Sequence, residues 1–150
     1  MRKVPVLVIG AALLTTCVAL VSAAAAPSMV VFKSPTCGCC TLWIKHLLAK
    51  GFVVEARDVG DSQLTSVAIQ SGVPADLQTC HTARIAGYIV EGHVPVADIQ
   101  RMLKEKPVIA GIGVGGMPMG SPGMEQGGMK QPFKTMAFTK DGKQTVFATH

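Results

Sequence analysis

The sequence predicts an α/β domain, and three observations predict it. Short apolar runs of strand character alternate with helical patterns between residues 29 and 104. Glycine or proline stands at most changes of pattern. A cysteine-crowded turn, TCGCC at residues 36–40, joins the first predicted strand to the first predicted helix.

The elements follow in order. Residues 29–33 (MVVFK) are apolar, β-branched and aromatic, and read as a buried strand. Ser34-Pro35-Thr36 breaks it, because the residue before a proline is pushed away from helix. A helix begins at Cys39 or Cys40, with Cys40, Trp43, Ile44, Leu47 and Leu48 at i, i+3, i+4 spacing and Gly51 as its stop. Residues 52–59 (FVVEARDV) form a second strand. Asp61 or Ser62 then caps a helix with Leu64, Val67 and Ala68 on one face, ending at Gly72. Val73-Pro74 is a turn. Residues 82–92 (TARIAGYIVEG) contain a strand ending at glycine, and Pro95 opens a helix through Lys104 that buries Val96, Ile99 and Leu103. Pro107 closes it. Residues 110–132 are rich in Gly, Pro and Met, show no period, and read as a long loop. Residues 133–139 and 145–149, joined by KDGK, form a terminal hairpin. With a reactive-looking cysteine turn at the first helix N-terminus, this order predicts a thioredoxin-like three-layer sandwich carrying a C-terminal β-hairpin and a Met/Gly/Pro-rich loop.

Residues 1–26 stand apart. Arg2 and Lys3 precede an apolar run over 4–21, and small residues follow before Pro27, the pattern of a secretory signal with cleavage at about residues 23–26. An uncleaved anchor or a lipid at Cys17 are the rival readings, though Thr16 fits a lipidation box poorly. A periplasmic domain over 27–150 is therefore expected, with no stable membrane insertion once the signal is removed. Losing Arg2 and Lys3 and no acidic residue leaves 12 basic against 9 acidic side chains, a mild balance without a basic cluster for nucleic acid.

The chemistry is expected at the cysteines. Cys37 and Cys40 have the spacing of a redox pair, and a helix N-terminus lowers thiol pKa by stabilising the anion. Cys39 adds a rival sulfur that a dedicated disulfide exchanger does not need, whereas a Cu(I) site gains a soft ligand from it. Cys80, entering the third strand, can complete the set on this fold. Four cysteines also suit zinc, but two separated Cys-x-x-Cys pairs are missing. Met117, Met119, Met124 and Met129 lie among glycines and prolines, where packing explains them poorly and thioether ligation of Cu(I) explains them well. Gap-filling under the loop is the structural alternative. His81, beside Cys80, is the best nitrogen ligand. His46 is too far along its helix to share a metal with Cys39, His93 reads as a helix-entry residue, and His150 has no assigned role.

The stretches VFKSPTCGCCTLW, TCHTA, GYIVEGHVP and GMPMGSPGME together resemble the CopG-like copper-resistance proteins over residues 29–149. The resemblance implies an exported, thioredoxin-like protein that gathers copper at Cys37, Cys39, Cys40 and Cys80, with Met117, Met119 and Met124 as accessory residues. Val73-Pro74 stands about seven residues from the next strand and is not assigned the role of a thioredoxin cis-proline. Two functions remain open. The first is Cu(I) sequestration or hand-over, as one ion or a sulfur-bridged multinuclear cluster, with other periplasmic copper-handling proteins as partners. The second is a thiol oxidoreductase, or a Cu(II)-reducing protein, using Cys37 and Cys40. A zinc-stabilised module is the third and plainest reading.

Overall fold

The structure, a computed structural model, describes residues 28–150; the expected leader lies outside them. Ten elements follow in the order β1 (Ser28–Lys33), α1 (Gly38–Ala49), β2 (Val53–Asp58), α2 (Asp61–Gln70), β3 (His81–Ile85), β4 (Tyr88–Glu91), α3 (Val96–Glu105), β5 (Gly111–Gly113), β6 (Lys134–Phe138) and β7 (Gln144–Thr149). All seven strands join one mixed sheet in the order β2-β1-β3-β4-β5-β6-β7. β1 pairs parallel with β2 and antiparallel with β3, so the chain crosses over through α1 and returns through α2. Among the described residues no helix is long and apolar enough to cross a membrane.

The helices feed two separate cores. Trp43, Ile44 and Leu47 of α1 pack with Ile99 and Met102 of α3 against Met29, Val31, Ala83 and Ile85 of the sheet. Ala68 of α2 packs instead with Val73, Leu77 and Phe138. Burying Trp43 requires a partner for its indole N–H, and the Val94 carbonyl accepts it at 2.9 Å. Leu48, expected on the buried face of α1, is half exposed and is solvent-facing instead.

Two expectations change. The single strand expected over 82–92 is a hairpin, β3 and β4, with Ile85 opposite Tyr88. Its two-residue turn holds Ala86 and Gly87 at φ 48° and 84°, the positive angles that match strand twist in the tightest hairpins. Alanine is an unusual first residue for that turn, which hides the turn signal. The loop expected over 110–132 begins with β5, a three-residue strand between β4 and β6. Gly111 explains it: a Cβ there would meet the Ile89 carbonyl oxygen at 2.2 Å, so only glycine lets these backbones approach. Residues 114–133 contain neither helix nor strand.

Candidate metal centre

The centre begins with a helix cap. Cys37 is the N-cap of α1, held extended at φ −74° and ψ 94°, and its Sγ accepts the Cys40 backbone N–H at 3.2 Å. A sulfur thus fills the place an Asp or Ser oxygen commonly takes, where N–H groups and the helix dipole favour an anion. Cys37 and Cys40 are joined by a disulfide, with Cα atoms 5.4 Å apart. Cys39 is a free thiol whose Sγ lies 3.4 Å from that of Cys37. Cys80, also free, approaches from the segment entering β3, and its carbonyl oxygen is 3.5 Å from the Cys40 Sγ. The four sulfurs lie within 4.8 Å of one another. The bridge and a four-thiolate ligand set are alternative states, because closing the disulfide removes two of the four donors.

Cys80 belongs to a second trio as well. Its Sγ is 3.5 Å from Nδ1 of His81 and 3.3 Å from Nε2 of His93. The hairpin builds this trio: Thr82 pairs with Glu91, which brings residues 80–81 opposite 92–93. Nδ1 of His93 donates to the Pro122 carbonyl at 2.8 Å, so the proton sits on Nδ1 and the Nε2 lone pair faces Cys80. An imidazole held by an outer carbonyl with its inner nitrogen free is the arrangement found around ligating histidines. His81 is fully buried, stacked 4.3 Å from the Trp43 ring, and its Nε2 has no hydrogen-bond partner. Burial, with His93 beside it, pushes His81 down to about 3, and burial also lowers His93. Both rings are therefore neutral at neutral pH and able to donate lone pairs. Burial, reinforced by Cys39, pushes the Cys80 thiol up to about 12, so binding a metal there must displace a proton.

Buried Glu91 supports the trio from beneath. It accepts from the Thr79 backbone N–H at 2.8 Å and from the Thr82 hydroxyl at 2.7 Å, fixing the backbone on either side of Cys80 and His81. Burial raises it to about 7. On the outer side, Gly123 packs against α1 so closely that a Cβ would meet the Cys39 carbonyl oxygen at 2.6 Å and the Trp43 nitrogen at 2.8 Å. The Met-bearing segment is thus pressed onto the cysteine turn.

The four cysteines lie together and His81 stands against Cys80; the methionines separate. Met117 shares a shallow cavity of about 340 Å³ with Cys80, Gln78 and Thr79. Met119 lies instead in a different cavity, with Phe133 and His150. The backbone of Met124 closes a turn with Gly120 and Ser121, and Met129 is exposed. His93, expected only as a helix-entry residue, is part of the centre. Recognising the hairpin would have found it, since its turn aligns GH with CH. His46 pairs with Glu125 at 2.9 Å on the surface, in keeping with a peripheral role.

The family described as "Protein of unknown function, DUF411" matches residues 77–124, the stretch that carries Cys80, His81 and His93. Among curated proteins none matches. The solved structure of a copper resistance protein CopG, form 1, is 41% identical, with 82% of this chain and 96% of that one covered at a TM-score of 0.76. Form 2 is likewise 41% identical, covering 83% and 98% at a TM-score of 0.77. Identity at this level over nearly the whole of those chains, with the cysteine centre assembled in the same fold, places the chain in the CopG copper-resistance family.

Proposed function

We propose that this is an exported copper-binding protein that holds Cu(I) through Cys37, Cys39, Cys40 and Cys80 and serves copper resistance by sequestration or hand-over. One observation carries the reading: four sulfurs within 4.8 Å at a helix N-terminus. Thiolates select Cu(I), and donors this crowded can bridge more than one ion. His81 and His93 offer nitrogen donors on the far side of Cys80, and Met117 a thioether at its mouth. The thioredoxin-like character of the scaffold is supported by the βαβαββα order and by the parallel β1–β2 and antiparallel β1–β3 pairs. Export rests on the N-terminal pattern of Arg2, Lys3 and the apolar run after them. The test is anaerobic Cu(I) titration of the reduced chain against a strong chelator, with copper counted per protein. Competitive binding is expected, and a loss of capacity in Cys39→Ser. No binding, or binding unchanged in that variant, refutes the reading.

The Cys37–Cys40 disulfide favours a second activity at the same place. Two Cu(II) ions could each take one electron from the reduced pair, giving two Cu(I), one disulfide and two released protons. Cys39 and Cys80 would remain to receive the product. Stopped-flow mixing of the reduced chain with Cu(II) checks this. Formation of one disulfide per two Cu(I) supports it, and a pair that stays reduced removes it.

A further inference from the structure

Pro122 also lines a cavity of about 460 Å³ that takes in Met119 and no cysteine. It is lined by Pro95, Met119, Lys130, Gln131, Phe133 and His150, among others. Three elements meet there to hold one imidazole. Asp98, buried in the first turn of α3, accepts the Thr135 hydroxyl of β6 at 2.6 Å and lies 2.9 Å from Nε2 of His150. The ring stacks on Phe133 at 4.7 Å, and the backbones of Phe133 and His150 exchange two hydrogen bonds at 2.9 and 3.2 Å. Position and orientation of the imidazole are both fixed.

The proton on that ring is fixed too. A carboxylate only accepts, so Nε2 of His150 must carry the hydrogen and donate it to Asp98. In the neutral imidazole the lone pair then belongs to Nδ1, which has no protein hydrogen-bond partner among the described residues. A buried carboxylate gripping one nitrogen and leaving the other free is the arrangement that orients metal-ligating histidines. Met119 shares the cavity and is held by reciprocal bonds with Gln131: its N–H donates to Oε1, and its carbonyl accepts the Gln131 N–H, both at 2.9 Å. It belongs to neither hydrophobic core, so packing does not account for it. Lys130 is exposed at the rim on a flexible stem, and makes a bound anion the natural rival.

We propose that His150 Nδ1 and the Met119 thioether form a second, two-donor site for a soft monovalent cation, Cu(I) or Ag(I), separate from the cysteine centre. One imidazole and one thioether suit such an ion and bind it more weakly than thiolates do. The site shares no residue with the cysteine centre, and stands or falls independently of it.

Ag(I), which is redox-inert here, is the probe. The full chain is titrated with it past the capacity of the cysteines while the His150 ring nitrogens and the Met119 methyl are followed by NMR. The expected result is a shift of His150 Nδ1 and of the Met119 methyl that saturates together, with His46 unmoved. Met119→Leu, which keeps volume and leaves Asp98–His150 intact, should weaken binding at His150 at least about tenfold. His150→Gln should lose one equivalent of silver and leave the cysteine-bound metal in place. An Nδ1 signal unmoved at silver excess, or a titration unchanged in Met119→Leu, overturns the proposal. So does a His150 signal that answers to inorganic phosphate and not to silver.

Discussion

The two walls of the candidate metal centre are built in opposite ways. The sulfur wall comes from four consecutive positions, Cys37 to Cys40, at the start of one helix, and two of its three sulfur-bearing residues are partly exposed. The imidazole wall comes from the open end of a hairpin, His81 on β3 and His93 just past β4, and both are fully buried. Cys80 stands between them, touching both. A wall at a helix tip can change its oxidation state or its ligands without disturbing the core. A wall stacked on Trp43 and tied to Pro122 is itself core. Substitutions should therefore separate: the sulfur wall loses metal and keeps the fold, and the imidazole wall loses fold first.

The largest effect is expected at the junction. Cys80→Ser should weaken Cu(I) binding by more than the roughly 10–100-fold typical of losing a supporting group, because it removes one of the four sulfurs proposed to hold the ion. Chelator competition reads the loss, and a denaturation midpoint close to the parent's shows that the fold survives. If Cys80→Ser unfolds the chain instead, the two walls are not separable.

On the other wall, Trp43→Phe should cost about 1–3 kcal/mol of stability by leaving the buried Val94 carbonyl without its donor. Copper capacity should be unchanged in the folded fraction. Gly123→Ala should cost a similar amount, about 1–3 kcal/mol, since the residue sits at φ 88° and its Cβ would press on Cys39 and Trp43. Faster alkylation of Cys39 would show the segment lifting from α1.

The buried wall also sets a pH dependence for the copper-free protein. Folding lowers His81 from 6.5 to about 3, so its contribution is present above pH 6.5 and is lost as pH falls from there toward 3. Folding raises Glu91 from 4.5 to about 7, so its contribution is present below pH 4.5 and is lost as pH rises through 7. Between about pH 4.5 and 6.5 the two slopes oppose, and stability should pass through a plateau and fall on either side. Glu91→Gln should remove the decline on the alkaline side, which runs only from about pH 6.5 to 7 and is worth under about 1 kcal/mol. Denaturation midpoints from pH 4 to 8 test this, and a parent curve still rising between pH 6.5 and 7.5 would contradict it.

The smallest effect is expected from Met117→Leu. Its side chain is half exposed, so stability should change by less than about 0.5 kcal/mol. Copper release to a chelator should change only a few-fold, consistent with a thioether at the mouth of the site.

The same contrast explains what is legible in the sequence. The sulfur wall can be read because its residues are neighbours in the chain and its helix has clean periodicity and a proline before it. The β1, α1, β2, α2 run and the terminal hairpin are legible for the same local reasons. The imidazole wall is not, because His93 reaches Cys80 only through strand pairing, and an Ala86-Gly87 turn does not announce a hairpin. β5 escapes notice because GIG has too few side chains to show a strand pattern; its evidence is the close backbone approach at Gly111. Met119 could not be told from Met117 by composition, since only the path of residues 114–133 sends one toward Cys80 and the other toward His150.

Copper is expected on the sulfur wall. Copper K-edge X-ray absorption of the anaerobically Cu(I)-loaded chain reads its ligands. A first shell dominated by sulfur is expected, with fewer sulfurs per copper when the Cys37–Cys40 disulfide is re-formed before loading. A shell dominated by nitrogen or oxygen, or one indifferent to that disulfide, would contradict it.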